Sequence, residues 1–192
     1  MVLLLSYNRL RKNKKGKQNM KIPKTKIRPY EPSDMPVLKE WFYSGDYPQF
    51  FRDMLLMTED QLKIYSSMRD GMAYIVEKAG TPVGFMVIYD MRYVPSNLKV
   101  AILIDKKYQG QKYALSGMIE TCKYVYNCLS YNKLIVEVCS TNKHLQESLN
   151  IGGFDYEATL LKEARIDGEW VDVIRYCMFA DKFREVMNSL GG

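Results

Sequence analysis

Residues 99–154 constrain the fold of this chain more than any other stretch. Five consecutive apolar residues, Val100-Ala-Ile-Leu-Ile104, run into a polar turn, Gln109-Gly-Gln-Lys-Tyr-Ala114, and the turn opens a long periodic segment. An apolar run without polar alternation suits a strand covered on both faces. Across residues 111–130, apolar side chains fall at Leu115, Met118, Ile119, Cys122, Val125, Tyr126 and Leu129, the three-and-four spacing of one helical face. A second apolar run, Leu134-Ile-Val136 with Val138, follows after a short break. Strand, helix and strand in so few residues predict a crossover and a parallel pair. Where the first strand meets the helix, the free N–H groups of the helix start point at an anion, so the turn reads as a cradle for a phosphate-bearing cofactor. Beyond the second strand, Ser140-Thr-Asn142 supplies helix-start chemistry, Leu145 and Leu149 a short apolar face, and Gly152-Gly153 a stop.

The flanking segments predict a sheet around this unit. Lys26-Ile-Arg-Pro-Tyr30 reads as a first strand, and Glu31-Pro-Ser-Asp-Met-Pro36 launches a helix over Val37, Leu38, Trp41 and Phe42. Met57-Thr-Glu-Asp60 is a second helix start, with Leu62, Ile64 and Tyr65 behind it. The aromatic cluster Trp41, Phe42, Tyr43, Tyr47, Phe50 and Phe51 serves core or lid packing, with an acceptor pocket as the functional alternative. Met72-Ala-Tyr-Ile-Val76 and Val83-Gly-Phe-Met-Val-Ile-Tyr89 flank Ala79-Gly-Thr-Pro82 as a hairpin, and residues 154–161 and 171–179 form another around Asp167-Gly168. A helix over residues 181–190 closes the chain. The expected architecture is α/β: a mixed, mostly antiparallel sheet with one parallel pair and helices on both faces.

With 192 residues and 47% hydrophobic content, one domain with a proper core is the expectation. The net charge of +6 is unevenly placed. Residues 1–30 hold ten Lys and Arg and no acid, which leaves 18 basic against 22 acidic groups in the remainder, a net of −4. The basic signal therefore belongs to an arm, residues 1–25, and the body, residues 26–192, is mildly acidic. The arm is read either as a solvated extension ahead of Met20 or as a segment whose residues 9–28 contact RNA or an acidic partner. Its opening run, Met1-Val-Leu-Leu-Leu-Ser-Tyr7, is too short for a membrane span and has its charges behind it, so a cytoplasmic protein is expected. Cys122, Cys128, Cys139, Cys177 and the single His144 have no metal-ligand spacing and no triad partner, so reduced structural thiols are expected and no metal.

The Gln109–Ala114 positions match the Q/R-x-x-G-x-G/A turn that the GCN5-related N-acetyltransferases carry between their fourth strand and third helix. Asn142, Leu145, Leu149, Gly153 and Phe154 fall along the N-x-x-S-x-x-x-L-x-x-x-G-F pattern of the branch that acetylates ribosomal-protein N-termini, and Asp167-Gly-Glu-Trp-Val-Asp172 is similar to its D-G-x-x-x-D hairpin. The chain resembles that superfamily, and within it that branch. Three motifs in register agree better than any one alone. The resemblance implies acetyl-CoA between splayed fourth and fifth strands. Its pyrophosphate would meet the N–H groups of Gln109, Gly110, Gln111, Lys112, Tyr113 and Ala114, and its pantetheine the backbone of Leu103, Ile104 and Asp105, with Asn142 hydrogen-bonding nearby.

The acceptor it implies is a primary amine, on a protein N-terminus or a small molecule. Lys112 stands at a usual glycine, Leu145 at a usual serine, Leu149 at a common tyrosine acid, and Lys99 at a common glutamate base. Amine attack needs a proton acceptor. Glu137 is the leading candidate because it interrupts an apolar strand beside the cleft; Asp90 and Glu163 are the others. The contrasting reading is a catalytically silent member of the fold whose arm mediates assembly.

Overall fold

The computed structural model describes residues 22–43, 71–89, 97–128 and 131–189. Among them, seven strands form one sheet: β1 (Lys26–Pro29), β2 (Gly71–Lys78), β3 (Thr81–Tyr89), β4 (Asn97–Ile104), β5 (Lys133–Cys139), β6 (Asp155–Ile166) and β7 (Glu169–Phe179), in the order β1-β2-β3-β4-β5-β7-β6. Every neighbouring pair is antiparallel except β4 with β5. The described helices are α1 (Met35–Tyr43), α2 (Tyr113–Cys128), α3 (Lys143–Ile151) and α4 (Ala180–Ser189), with single 3-10 turns at Pro32–Asp34 and Lys106–Tyr108. The expected strand, helix, strand unit is present as β4, α2 and β5. The expected helix start at Met57 and the candidate base Asp90 lie outside the described residues, as do residues 1–21 of the arm. No helix among the described residues is long and apolar enough to cross a membrane.

Both hairpins turn on two residues with positive φ, Ala79 (48°) with Gly80 (82°), and Asp167 (50°) with Gly168 (90°). Two left-handed residues in a row give a turn whose twist matches that of the paired strands, which is why Gly and Asp were readable there.

Strand alternation sends side chains to two cores. Val76, Met86, Val100, Leu134, Val136 and Met178 pack on one face with Met118, Cys122 and Val125 of α2, Leu149 of α3 and Phe183 of α4. On the other face Ile75, Phe85, Val87 and Leu103 pack with Leu38, Trp41 and Phe42 of α1. Phe85 is fully buried, edge-on to Phe42 at 5.9 Å and to Tyr30 at 6.4 Å, so it pins α1 to the sheet. The Arg28 guanidinium ties β1 to the start of α1, donating to both Asp34 carboxylate oxygens at 2.7 and 2.6 Å and to Glu77 at 2.7 Å. Ahead of β1, the Ser116 hydroxyl donates to the Pro23 carbonyl at 2.6 Å and lies 2.8 Å from the Thr25 hydroxyl, so residues 23–25 are fastened to α2.

Candidate active site

The single parallel pairing makes the site. β4 and β5 meet over three rungs only, Asn97 with Lys133, Leu98 with Leu134 and Lys99 with Ile135. Beyond that point β4 stays paired with β3 as far as Ile104, and β5 with β7 as far as Cys139. The sheet thus opens into a wedge whose apex is the Lys99–Ile135 rung and whose walls are the main-chain edges of residues 100–104 and 136–139.

Parity decides which main-chain groups face that wedge. The Asp105 N–H donates to the Val83 carbonyl at 2.9 Å, toward β3. Alternate peptide groups of a strand point to opposite sides, so those of Leu103 also serve β3 while those of Ile102 and Ile104 face the gap. Ile102 was missing from the sequence-based set because an apolar run gives no sign of which residues bond to which neighbour; only the register supplies it.

At the open end of the wedge the chain curls tightly. The Asp105 carboxylate accepts from the Lys107 N–H at 3.1 Å, capping the 3-10 turn, and the Gln109 side-chain amide donates back to the Ile104 carbonyl at 3.0 Å. Gly110 (φ 71°) and Lys112 (φ 67°) are both left-handed, two residues apart. The first hydrogen bond of α2 runs from the Ser116 N–H to the Lys112 carbonyl at 3.0 Å, leaving the N–H groups of Tyr113, Ala114 and Leu115 without a partner inside the helix. The Gln111 side chain donates to the Lys107 carbonyl at 2.9 Å, bracing the loop. The Tyr113 side chain is buried and stacked edge-on to Tyr108 at 5.3 Å, so only its main chain is offered to a ligand. The ring also draws on Lys78, whose ammonium sits 5.5 Å from its centroid and whose pKa is raised by its hydrogen bond to Tyr113.

Across the wedge mouth, β5 leads into α3. Asn142 caps that helix, its side-chain oxygen accepting from the Leu145 N–H at 3.1 Å. That oxygen already serves the helix start, and the donors Asn142 can offer a ligand are its side-chain N–H groups. Leu149 is buried in the core and Leu145 packs against it, so the pattern's acid positions are occupied by apolar packing groups.

Glu137 lies two residues past the apex, on the α1 face. Its Oε1 accepts from Arg175 Nε at 2.9 Å and Nη2 at 2.6 Å, and Lys99 Nζ stands 3.6 Å away. Glu163 sits on the far β6–β7 hairpin, beside the left-handed Lys162. Cysteine nucleophiles are disfavoured on electrostatic grounds. Burial pushes the Cys122 thiol up to about 12, and desolvation also raises the thiols of Cys177 and of Cys139 on the β5 wall, whereas a nucleophile needs the thiolate.

An open strand edge continuous with a glycine-bearing curl and a bare helix start suits an extended, phosphorylated thioester: the edge pairs an amide-rich arm, and the N–H groups meet phosphate. The comparisons agree. The profile of the acetyltransferase (GNAT) domain family matches residues 24–154. Spermidine N(1)-acetyltransferase of Escherichia coli K12 is 24% identical over 171 residues, covering 82% of this chain and 87% of the relative. Two solved structures share the fold. A spermidine N-acetyltransferase of Vibrio cholerae in complex with CoA and spermine superposes with a TM-score of 0.71 at 18% identity, covering 84% of this chain and 98% of that one. A chimera of the Vibrio cholerae enzyme with hSSAT gives 0.74 at 19%, over 84% and 98%. These relatives acetylate spermidine, so the resemblance holds for the superfamily without singling out the ribosomal-protein branch. With a family match spanning more than half its length, the chain belongs to the acetyltransferase (GNAT) domain family: it is an N-acetyltransferase with acetyl-CoA as its co-substrate.

Proposed function

We propose that this enzyme acetylates the primary amine of a small molecule, with the thioester held at the β4–β5 wedge. The observation that carries the reading is the parting of β4 and β5 after three rungs, which leaves the Ile102 and Ile104 peptide groups facing a gap that ends at the bare start of α2. Bound there, acetyl-CoA supplies an activated acetyl group. The main-chain edge of β4 aligns the pantetheine arm as a further strand would, and the N–H groups of residues 110–115 hold the pyrophosphate. The Asn142 amide N–H groups bound the opposite wall.

The acceptor arrives largely as an ammonium, so one proton must leave before its nitrogen has a lone pair. Glu137 takes that proton, directly or through one water. The nitrogen then bonds to the carbonyl carbon, the C–S bond breaks, and the second amine proton goes to the departing sulfur, giving the acetamide and free thiol. A main-chain N–H aimed at the thioester oxygen stabilises the charge it develops; one such donor is worth about 10²–10³ in rate. Leu145 and Leu149 carry no proton to give, so the thiolate draws its proton from the amine itself.

Spermidine and spermine are the first acceptors to test, because the matched relatives act on spermidine. A protein N-terminus is the second acceptor class, favoured by the Asp167–Asp172 hairpin and the residues following Asn142. Calorimetry with acetyl-CoA, followed by thiol release with spermidine, putrescine and short peptides bearing free N-termini, separates them. Binding with turnover of the amines and silence with the peptides is the expected result. Turnover of peptides alone reverses the acceptor class. A chain that binds no acetyl-CoA refutes the reading.

A further inference from the structure

Three strands each place one charged side chain at the wedge apex, all on the α1 face: Lys99 from β4, Glu137 from β5 and Arg175 from β7. Their side chains are 25%, 21% and 28% exposed, so the cluster is largely withdrawn from water without being sealed. Glu137 and Arg175 are direct cross-strand partners. Both contacts from the guanidinium, Nε at 2.9 Å and Nη2 at 2.6 Å, converge on Oε1, and Lys99 approaches the same oxygen. Two donors from one planar group hold that oxygen in place more firmly than a single ammonium does. Among the described residues Oε2 receives no such contact.

From this asymmetry we infer that Arg175 is a positioning residue. It holds Glu137 by Oε1 so that Oε2 is presented at the apex, where the acceptor's ammonium must lose its proton. This rests on the reading of Glu137 as the proton acceptor. The site also departs from the pattern in a compensated way: Lys99 stands at the usual carboxylate position on β4, and a carboxylate appears on β5 just beyond the same rung, with β7 supplying the clamp. An ordinary, partly exposed cross-strand ion pair would contribute modestly to stability and to nothing else. A positioning role shows instead in turnover, since misplacing a catalytic group by about 1 Å costs ~10²-fold.

The test is a kinetic double-mutant cycle on the full chain with a saturating amine, with thermal unfolding and acetyl-CoA calorimetry as controls for folding. Glu137→Gln is expected to lower kcat by about 10²-fold or more. Arg175→Ala is expected to lower kcat at least ~10-fold with little change in acetyl-CoA affinity, to be partly restored by added guanidinium, and to have no further effect in the Glu137→Gln background. Arg175→Lys, which keeps the charge and loses the fork, should fall between. The inference is overturned if Arg175→Ala slows both backgrounds equally, or lowers the melting temperature while kcat stays intact. If Glu137→Gln itself turns over at the wild-type rate, the proton-acceptor reading fails, and the role of Arg175 goes with it.

Discussion

Gly110 and Lys112 have nearly the same backbone conformation and opposite costs. Gly110 adopts φ 71° freely, and a Cβ there would meet nothing within 4 Å, so Gly110→Ala should cost about 1 kcal/mol from backbone strain alone. Lys112 already bears that strain, and Lys112→Gly should be neutral to about 1 kcal/mol stabilising, the relief being partly offset by a freer unfolded chain. Urea unfolding of the two variants measures both, with opposite signs expected. Gly84 is a different case: a Cβ there would lie 2.5 Å from the Leu103 carbonyl oxygen, so Gly84→Ala must push β3 from β4 and shift one wall of the wedge. A loss of about 3 kcal/mol, near the upper end for overpacking, is expected in the same assay. Of these three, the turn glycine was legible in the sequence because its neighbours match a pattern. At Lys112 the sequence showed only a lysine where the pattern has glycine; the positive φ itself is seen in the structure. Gly84 gave no sign, because a close strand approach leaves no local signature.

Elements were read well wherever one segment settled its own conformation. Both hairpins, the β4–α2–β5 unit and the Asn142-capped α3 follow from turn residues and apolar spacing. What stayed hidden was how elements are tied to one another, and the Arg28–Asp34 fork is an example. Asp34 is only 6% exposed, and its hydrogen bonds from Arg28 hold its carboxyl below the usual aspartate range. A carboxyl depressed in the folded state binds fewer protons folded than unfolded, so its contribution is fully present above the unfolded value near ~3.9 and is lost as pH falls through the lower folded value. Asp34→Asn should therefore cost about 2 kcal/mol at pH 7, and the gap to wild type should shrink on going to pH 3. Urea midpoints at both pH values check the sign. A constant gap would mean that packing of the side chain, and not its charge, holds β1 against α1.

At the scale of the whole molecule, the wedge leaves an interior strand edge uncovered. The main-chain groups of Ile102 and the Ile104 N–H, which a closed sheet would pair, face the gap, while the Ile104 carbonyl is taken by the Gln109 side chain; an unpaired strand edge invites pairing. The fold sustains this because β3 holds the outer side of β4 from Lys99 to Ile104 and β7 that of β5 from Lys133 to Cys139, and α2 bridges the split from one face through Met118, Cys122 and Val125. A molecule built this way should gain stability when the gap is filled. At acetyl-CoA concentrations 100-fold above its Kd, the linkage amounts to about 2.7 kcal/mol. For a chain of this size that corresponds to roughly 5–11 °C in Tm. Gly110→Pro, which imposes negative φ on a residue at 71°, should abolish most of the shift while α2 and the sheet still fold, because the curl lies outside both. Calorimetric scans with and without acetyl-CoA make the comparison. A full shift in the variant would place the phosphate grip somewhere other than the 109–114 turn; no shift in the wild type would mean that the open edge is filled by the protein's own side chains.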